Sequence, residues 1–179
     1  LNVMPSSTEL KAETRNEFRL FISKKDSAPF SQPENFAGTV LKELCKMYHK
    51  QGWVQQFHLG PLRNNNSRLF TKHGADSGFD SIGDQLQAQS LSAFLNELDK
   101  TDQLTKTIIY NINPAANEAF ASMTGNFNDG SVKGKVQFGS GWWFLAQKDG
   151  MEKQLNALSG IGIVSPVIGM LTDRKNGSE

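Results

Sequence analysis

The sequence is short of most features that announce a function. One cysteine, Cys45, stands among 179 residues. Neither an intrachain disulfide framework nor a CxxC metal or redox site can therefore form. A lone thiol fits a reducing compartment. Charge of one sign is also missing: 19 Lys and Arg face 18 Asp and Glu, a formal net charge of +1. With neither basic excess nor basic clustering, no nucleic-acid or membrane-surface partner is expected. No run approaches the roughly 18 apolar residues of a membrane span. The opening Leu1-Asn2-Val3-Met4 lacks the basic start and apolar stretch of a signal peptide. It also lacks an initiator Met, so the chain reads as processed or as a piece of something longer. GxSxG, HExxH and GxGxxG are all absent. The segment GSVKGK (130–135) has one residue too few for a phosphate loop, and Val136 stands where Ser or Thr is required. Repeats and low-complexity tracts are absent too.

What is present is an alternation of helical and strand patterns. Residues 10–24 carry Leu10, Phe18, Phe21 and Ile22 among charges and read as an amphipathic helix. In residues 33–50, Phe36, Val40, Leu41, Leu44, Met47 and Tyr48 fall at helical spacing and predict one apolar stripe. Pro33 suits the first turn, Glu34 the positive helix start, and Gly52 the stop. Strand-like segments are 53–59, 107–112, 135–139 and 164–171, the last weakened by Pro166. Helical patterns at 86–99, 114–124 and 145–159 lie between them, the last two stopping at Gly125 and Gly160. Residues 60–85 read as an extra loop. Alternation of this kind implies βαβ units and a parallel sheet.

In such folds functional groups gather at the carboxyl ends of the strands. His58, Asn111-Ile112-Asn113, Gly139-Ser140-Gly141-Trp142-Trp143 and Thr172-Asp173 stand at the four predicted ends. His58 could bind a divalent metal or act as a general base, or it could be a hydrogen-bonded structural histidine. Asp173 could ligate a metal or shuttle a proton, or simply cap a helix. Arg63 and Arg68 flank three asparagines in a loop that could hold a carboxylate or phosphate, or form an ordered surface turn. Trp142 and Trp143 could pack against a sugar ring, or pack in the core.

Read together, these segments resemble the uronate (glucuronate) isomerases. The resemblance rests on QFHLGPLRNNNSR (56–68), GFDSIGD (78–84), YNINP (110–114), GNF (125–127), QFGSGWWF (137–144), QKDGM (147–151) and GMLTD (169–173). It implies an amidohydrolase-superfamily α/β fold: a partial (β/α)8 TIM-type barrel, about the last four βα units, preceded by helices. The implied division is a helical lead-in at 1–52, half a barrel at 53–173 and a polar tail at 174–179. It implies aldose–ketose isomerisation of D-glucuronate to D-fructuronate and of D-galacturonate to D-tagaturonate, through an enediol, in the cytoplasm. By the same resemblance His58 and Asp173 belong to the metal and catalytic centre, with a zinc- or manganese-like divalent metal. Arg63, Trp142 and Trp143 would face the hexuronate substrate. The family's His-x-His pair has no counterpart, because the histidines are His49, His58 and His73. A whole barrel takes about 250 residues. The expectation is therefore a C-terminal half-barrel with an incomplete metal site and little activity alone. The alternative is a non-catalytic fragment that binds a sugar acid or pairs with a complementary half-barrel. Oligomeric state is left open.

Overall fold

The computed structural model describes residues 1, 4–5, 9, 11–23 and 33–162. The predicted strand 164–171, Asp173 and the tail 174–179 lie outside them. The elements in chain order are α1 (Ala12–Ser23), α2 (Pro33–Lys50), β1 (Gln55–Leu59), β2 (Pro61–Leu62), α3 (Ser67–His73), β3 (Ser81–Ile82), α4 (Ala88–Asp99), β4 (Thr107–Asn111), α5 (Asn117–Gly125), β5 (Val136–Phe138) and α6 (Lys148–Ile161). The chain divides into two units. Among the described residues, one comprises Leu1, 55–88 and 106–162, and the other those of 4–54 together with 89–105. No helix among the described residues is long and apolar enough to cross a membrane.

The first unit is built on a parallel sheet of order β1-β4-β5. Gln55 pairs with Thr107 and Leu59 with Asn111, while Thr107 pairs with Val136 and Ile109 with Phe138. All five residues of the central strand β4 are buried, as expected of a parallel strand covered on both faces. Alternation puts Phe57, Leu59, Ile109 and Phe138 on one face. There α5 packs, with Phe120 at 6.1 Å from Phe138 between ring centroids, and α6 packs on α5. The other face carries Gln56, His58, Ile108 and Tyr110. The Leu1 backbone brackets Leu59 in a parallel-ladder pattern, donating to the His58 carbonyl at 2.7 Å and accepting from the Gly60 amide at 3.0 Å.

Among the described residues β5 is the outer strand, and its free side is closed at one point by a side chain. Asn128 Nδ2 donates to the Val136 carbonyl at 3.0 Å, and the Val136 amide donates to Asn128 Oδ1 at 3.1 Å. The carboxamide thus takes both backbone groups of a residue that is 2% exposed. A third bond, to the Thr124 carbonyl at 2.8 Å, ties it to α5. Just before β5, the nearly buried Lys135 ammonium meets Asp129 Oδ2 at 2.7 Å. That hydrogen bond, helped by those from Ser131, holds the Asp129 carboxyl well below the usual carboxylate range.

The second unit contains α1, α2 and all but the first residue of α4. Leu91, Phe94, Leu95 and Leu98 are buried at helical spacing. Phe18 and Phe36 stack at 3.9 Å. Pro33 and Glu34 open α2, and it closes on a Schellman pair: Gly52 N donates to His49 O and Trp53 N to Tyr48 O. The predicted stripe on α2 divides. Phe36, Leu41 and Tyr48 are half-buried, whereas Val40, Leu44 and Met47 are exposed. The buried positions are Gly38 and Cys45, one heptad apart on a different face. Burial pushes the Cys45 thiol up to about 12, which makes it a core residue rather than a nucleophile.

Two further differences from the sequence pattern are local. The segment 60–85 contains α3 and the antiparallel pair β2–β3, organised by side-chain bonds described below. Gly160 lies within α6, which continues to Ile161.

Two outcomes follow. Asn128→Ala leaves the Val136 groups without their partner and is expected to cost about 1–3 kcal/mol, read as a lower denaturant midpoint at unchanged slope. Asp129→Asn should be less stable than the parent near neutral pH. Because the folded Asp129 is depressed, its contribution is complete above the unfolded carboxylate value of roughly 4. The gap between the two proteins should then close as pH falls below that toward the folded value, as measured by denaturant titrations across pH.

Candidate functional site

The site is assembled by register at the carboxyl ends of the parallel strands. His58 of β1 is the direct partner of Tyr110 of β4. Partners in adjacent strands point to the same face about 4.8 Å apart, and here both are rings. They stack at 4.4 Å with planes 3° apart. One position beyond the Ile109–Phe138 pair, the same row on β5 is Gly139. A Cβ there would lie 2.5 Å from Tyr110 Cε1, so the phenol ring occupies the space a side chain would need. The chain then turns at Gly139–Gly141 and brings Trp142 back edge-on to His58 at 4.6 Å.

Trp143 starts a 3-10 turn (Trp143–Leu145) with φ 51. The left-handed region is costly for an aromatic residue, about 1–3 kcal/mol, and such strain concentrates at functional sites. Its ring lies 5.8 Å from Trp142, 5.0 Å from Phe144 and under the Arg63 guanidinium at 5.4 Å. Thus Arg63, Trp143, Trp142, His58 and Tyr110 form one continuous run of contacts.

Arg63 is placed by acids within its own loop. Its Nη1 meets Asp80 Oδ2 at 3.2 Å and its Nη2 meets Asp76 Oδ1 at 2.6 Å. The Asp80 side chain is 7% exposed and also accepts from the Asn64 amide at 2.8 Å, whereas Asp76 is 69% exposed. Asp80 is therefore the fixed partner and Asp76 the exchangeable one. Asn65 ties the two sides of the loop together, donating to the Leu62 carbonyl and to Ser81 Oγ, while Asn66 caps α3. The asparagine run is structural in each of these bonds. So is the Asn-x-Asn that ends β4. Buried Asn111 donates to Asn117 Oδ1 at 2.9 Å. Asn113 caps the turn Pro114–Ala116 and donates to the Gly83 carbonyl, anchoring the loop to the strand end.

On α6, buried Gln154 donates to the Gly139 carbonyl at 2.8 Å and so fixes the start of the Trp142 turn. Tyr110, Asp80 and Gln154 are the residues that sequence reasoning missed. The first reads as one apolar member of a strand, the others as loop and helix polarity.

Among the described residues, no three His, Cys, Asp or Glu side chains converge on a point that could hold a metal ion. Among the described residues, the rings of Tyr110 and Trp142 lie against His58. The described donor set does not fit the divalent metal that the resemblance implies, and the second implied ligand, Asp173, lies outside the described residues.

The chain is similar to known proteins over nearly its whole length. The family model for glucuronate isomerase matches residues 2–176. A uronate isomerase of Flavobacterium johnsoniae is 60% identical over 166 residues, covering 91% of this chain and 36% of that protein. One of Bacteroides fragilis is 57% identical over 141 residues, 79% of this chain and 30% of that protein. The crystal structure of a uronate isomerase from Thermotoga maritima superposes with a TM-score of 0.79 at 28% identity, covering 96% of this chain and 36% of that one. The chain spans about a third of the length of the relatives it matches.

The two acids on Arg63 should separate in a stability test. Asp80→Ala removes a buried carboxylate with two partners and is expected to cost about 1–3 kcal/mol. It should also speed amide exchange across 63–82. Asp76→Ala, at an exposed pair, should stay within about 1 kcal/mol. Equal effects of the two would refute the assignment of fixed and exchangeable partners.

Proposed function

We propose a function from one premise: the chain belongs to the glucuronate isomerase family. The function is aldose–ketose isomerisation of a hexuronate, D-glucuronate to D-fructuronate or D-galacturonate to D-tagaturonate, in cytoplasmic sugar-acid catabolism. The chain contributes part of the site. β1, β4 and β5 are read as consecutive strands of a (β/α)8 barrel, whose chemistry sits at the carboxyl ends of its strands. The observation that carries the reading is the continuous run from the Arg63 guanidinium through Trp143 and Trp142 to His58 at those ends.

The reaction takes a proton from C2 and delivers one to C1. It needs a group that titrates near neutrality, a donor to the carbonyl oxygen and a cation for the carboxylate. His58 is a described side chain that can hold or release a proton there. Asp173 is the second candidate for proton transfer. Arg63 suits the substrate carboxylate, which is chemically like the Asp76 carboxylate and takes its place on the same guanidinium. The indole faces of Trp142 and Trp143 offer apolar surface to the sugar ring.

A segment exchange tests this. Residues 33–162 are placed in the corresponding positions of the Flavobacterium johnsoniae relative, and D-glucuronate conversion is followed by NMR. The chimera should isomerise, and His58→Gln in it should lower kcat/KM by about 100-fold or more with the melting midpoint held. A folded chimera without turnover, or a fully active His58→Gln variant, would overturn the reading.

A further inference from the structure

We propose that Tyr110 is a positioning residue of the site: its ring sets the plane of the His58 imidazole, and position 139 is glycine so that this ring can lie where it does. The proposal rests on the placement of His58 in the site, not on which hexuronate the site takes.

The argument starts from register. His58 and Tyr110 are paired residues on parallel strands, so their Cβ atoms leave the sheet side by side. Two flat rings at strand spacing can meet face to face, and these do, 3° from parallel at 4.4 Å. A half-buried histidine with no such neighbour samples several orientations about its second side-chain torsion, which is a broad, soft coordinate for imidazole. A parallel ring against its face removes that freedom. Trp142 adds an edge-on contact, 71° from the imidazole plane. Imidazole nitrogens lie in the ring plane, so fixing the plane fixes the directions in which His58 can donate and accept hydrogen bonds.

Gly139 is the third member of the row. Any Cβ there would come within 2.9 Å of three atoms of the Tyr110 ring, the nearest at 2.5 Å. Contacts that short force the ring to move from its place against His58. Gln154 holds the Gly139 carbonyl from the other side at 2.8 Å, so the backbone cannot easily yield in place of the ring. The row His58–Tyr110–Gly139 therefore works as a unit spread over three strands. Its outer members are 81 residues apart in sequence.

The test is spectroscopic and uses the chain itself. The three histidines are assigned from His49→Gln, His58→Gln and His73→Gln variants in a proton–carbon correlation spectrum. Ring current from a phenol stacked on its face should place the His58 Cε1–H and Cδ2–H signals upfield of those of His49 and His73. Tyr110→Phe keeps the ring and should keep the shift. Tyr110→Leu and Gly139→Ala should lose it, with Trp142→Leu recorded to separate the indole contribution. If Tyr110→Leu fails to fold by melting and circular dichroism, Gly139→Ala carries the same comparison. An unchanged His58 shift in a folded Tyr110→Leu or Gly139→Ala protein would overturn the proposal. So would a loss of the shift in Tyr110→Phe, which would put the effect in the hydroxyl. D-Glucuronate is titrated separately into the Flavobacterium johnsoniae chimera, in which the rest of the site is present: a stack confirmed in the chain with no ligand response of the folded chimera would count against the hexuronate reading alone.

Discussion

The in-register pairing of β1 with β4 is the constraint from which the rest of the site follows. Parallel ladders place partners on one face at a fixed spacing. A shift of one residue would turn His58 toward the face where Phe57 and Leu59 now sit. The register itself is held by burial, since β4 is enclosed on both faces and Gln55 donates to its partner Thr107 through side chains at 2.8 Å. Once that pairing is set, the ring stack, the clearance at Gly139 and the return of Trp142 need no further ordering beyond a short turn. Precision at the strand ends is inherited from the hydrogen-bonded ladder.

The segment 60–85 is ordered for a different reason. It buries little apolar surface, and its order comes from polar pairs. Asp80 gathers Arg63 and the Asn64 amide, Asn65 bridges to Ser81, and Asn113 reaches across from β4 to the Gly83 carbonyl. Each bond is worth only about 1 kcal/mol net. Together they determine which way the guanidinium faces. A loop built this way keeps an arginine beside an aromatic without burying it, and leaves one of its carboxylate partners in solvent.

The sequence made the elements legible far better than their contacts. The helices Ala12–Ser23, Pro33–Lys50 and Ala88–Asp99 and the three parallel strands within the described residues were readable because periodicity and length carry them. Strand ends were readable as a place to look, so His58, Arg63, Trp142 and Trp143 could be named and do stand in one run of contacts. What was not legible depended on register. The pattern WVQQFHL starts a strand at Trp53, while the ladder starts at Gln55, so matching strand starts would have paired His58 with Ile112 and missed Tyr110. The α2 stripe failed similarly: helical spacing collects apolar residues from two faces, and only packing decides between them. The asparagines looked like ligand donors because the bond from Asn65 to the Ser81 hydroxyl, across the loop, is invisible in one dimension.

Asn128 has a consequence for assembly. A short sheet with a bare edge invites any extended chain to add to it, including another copy of itself. Asn128 already occupies the outward amide and carbonyl of Val136. A newcomer at that edge finds its first docking point taken and can engage only farther along, toward Phe138 and the strand end. The carboxamide thus acts as a stop on the outward groups of Val136.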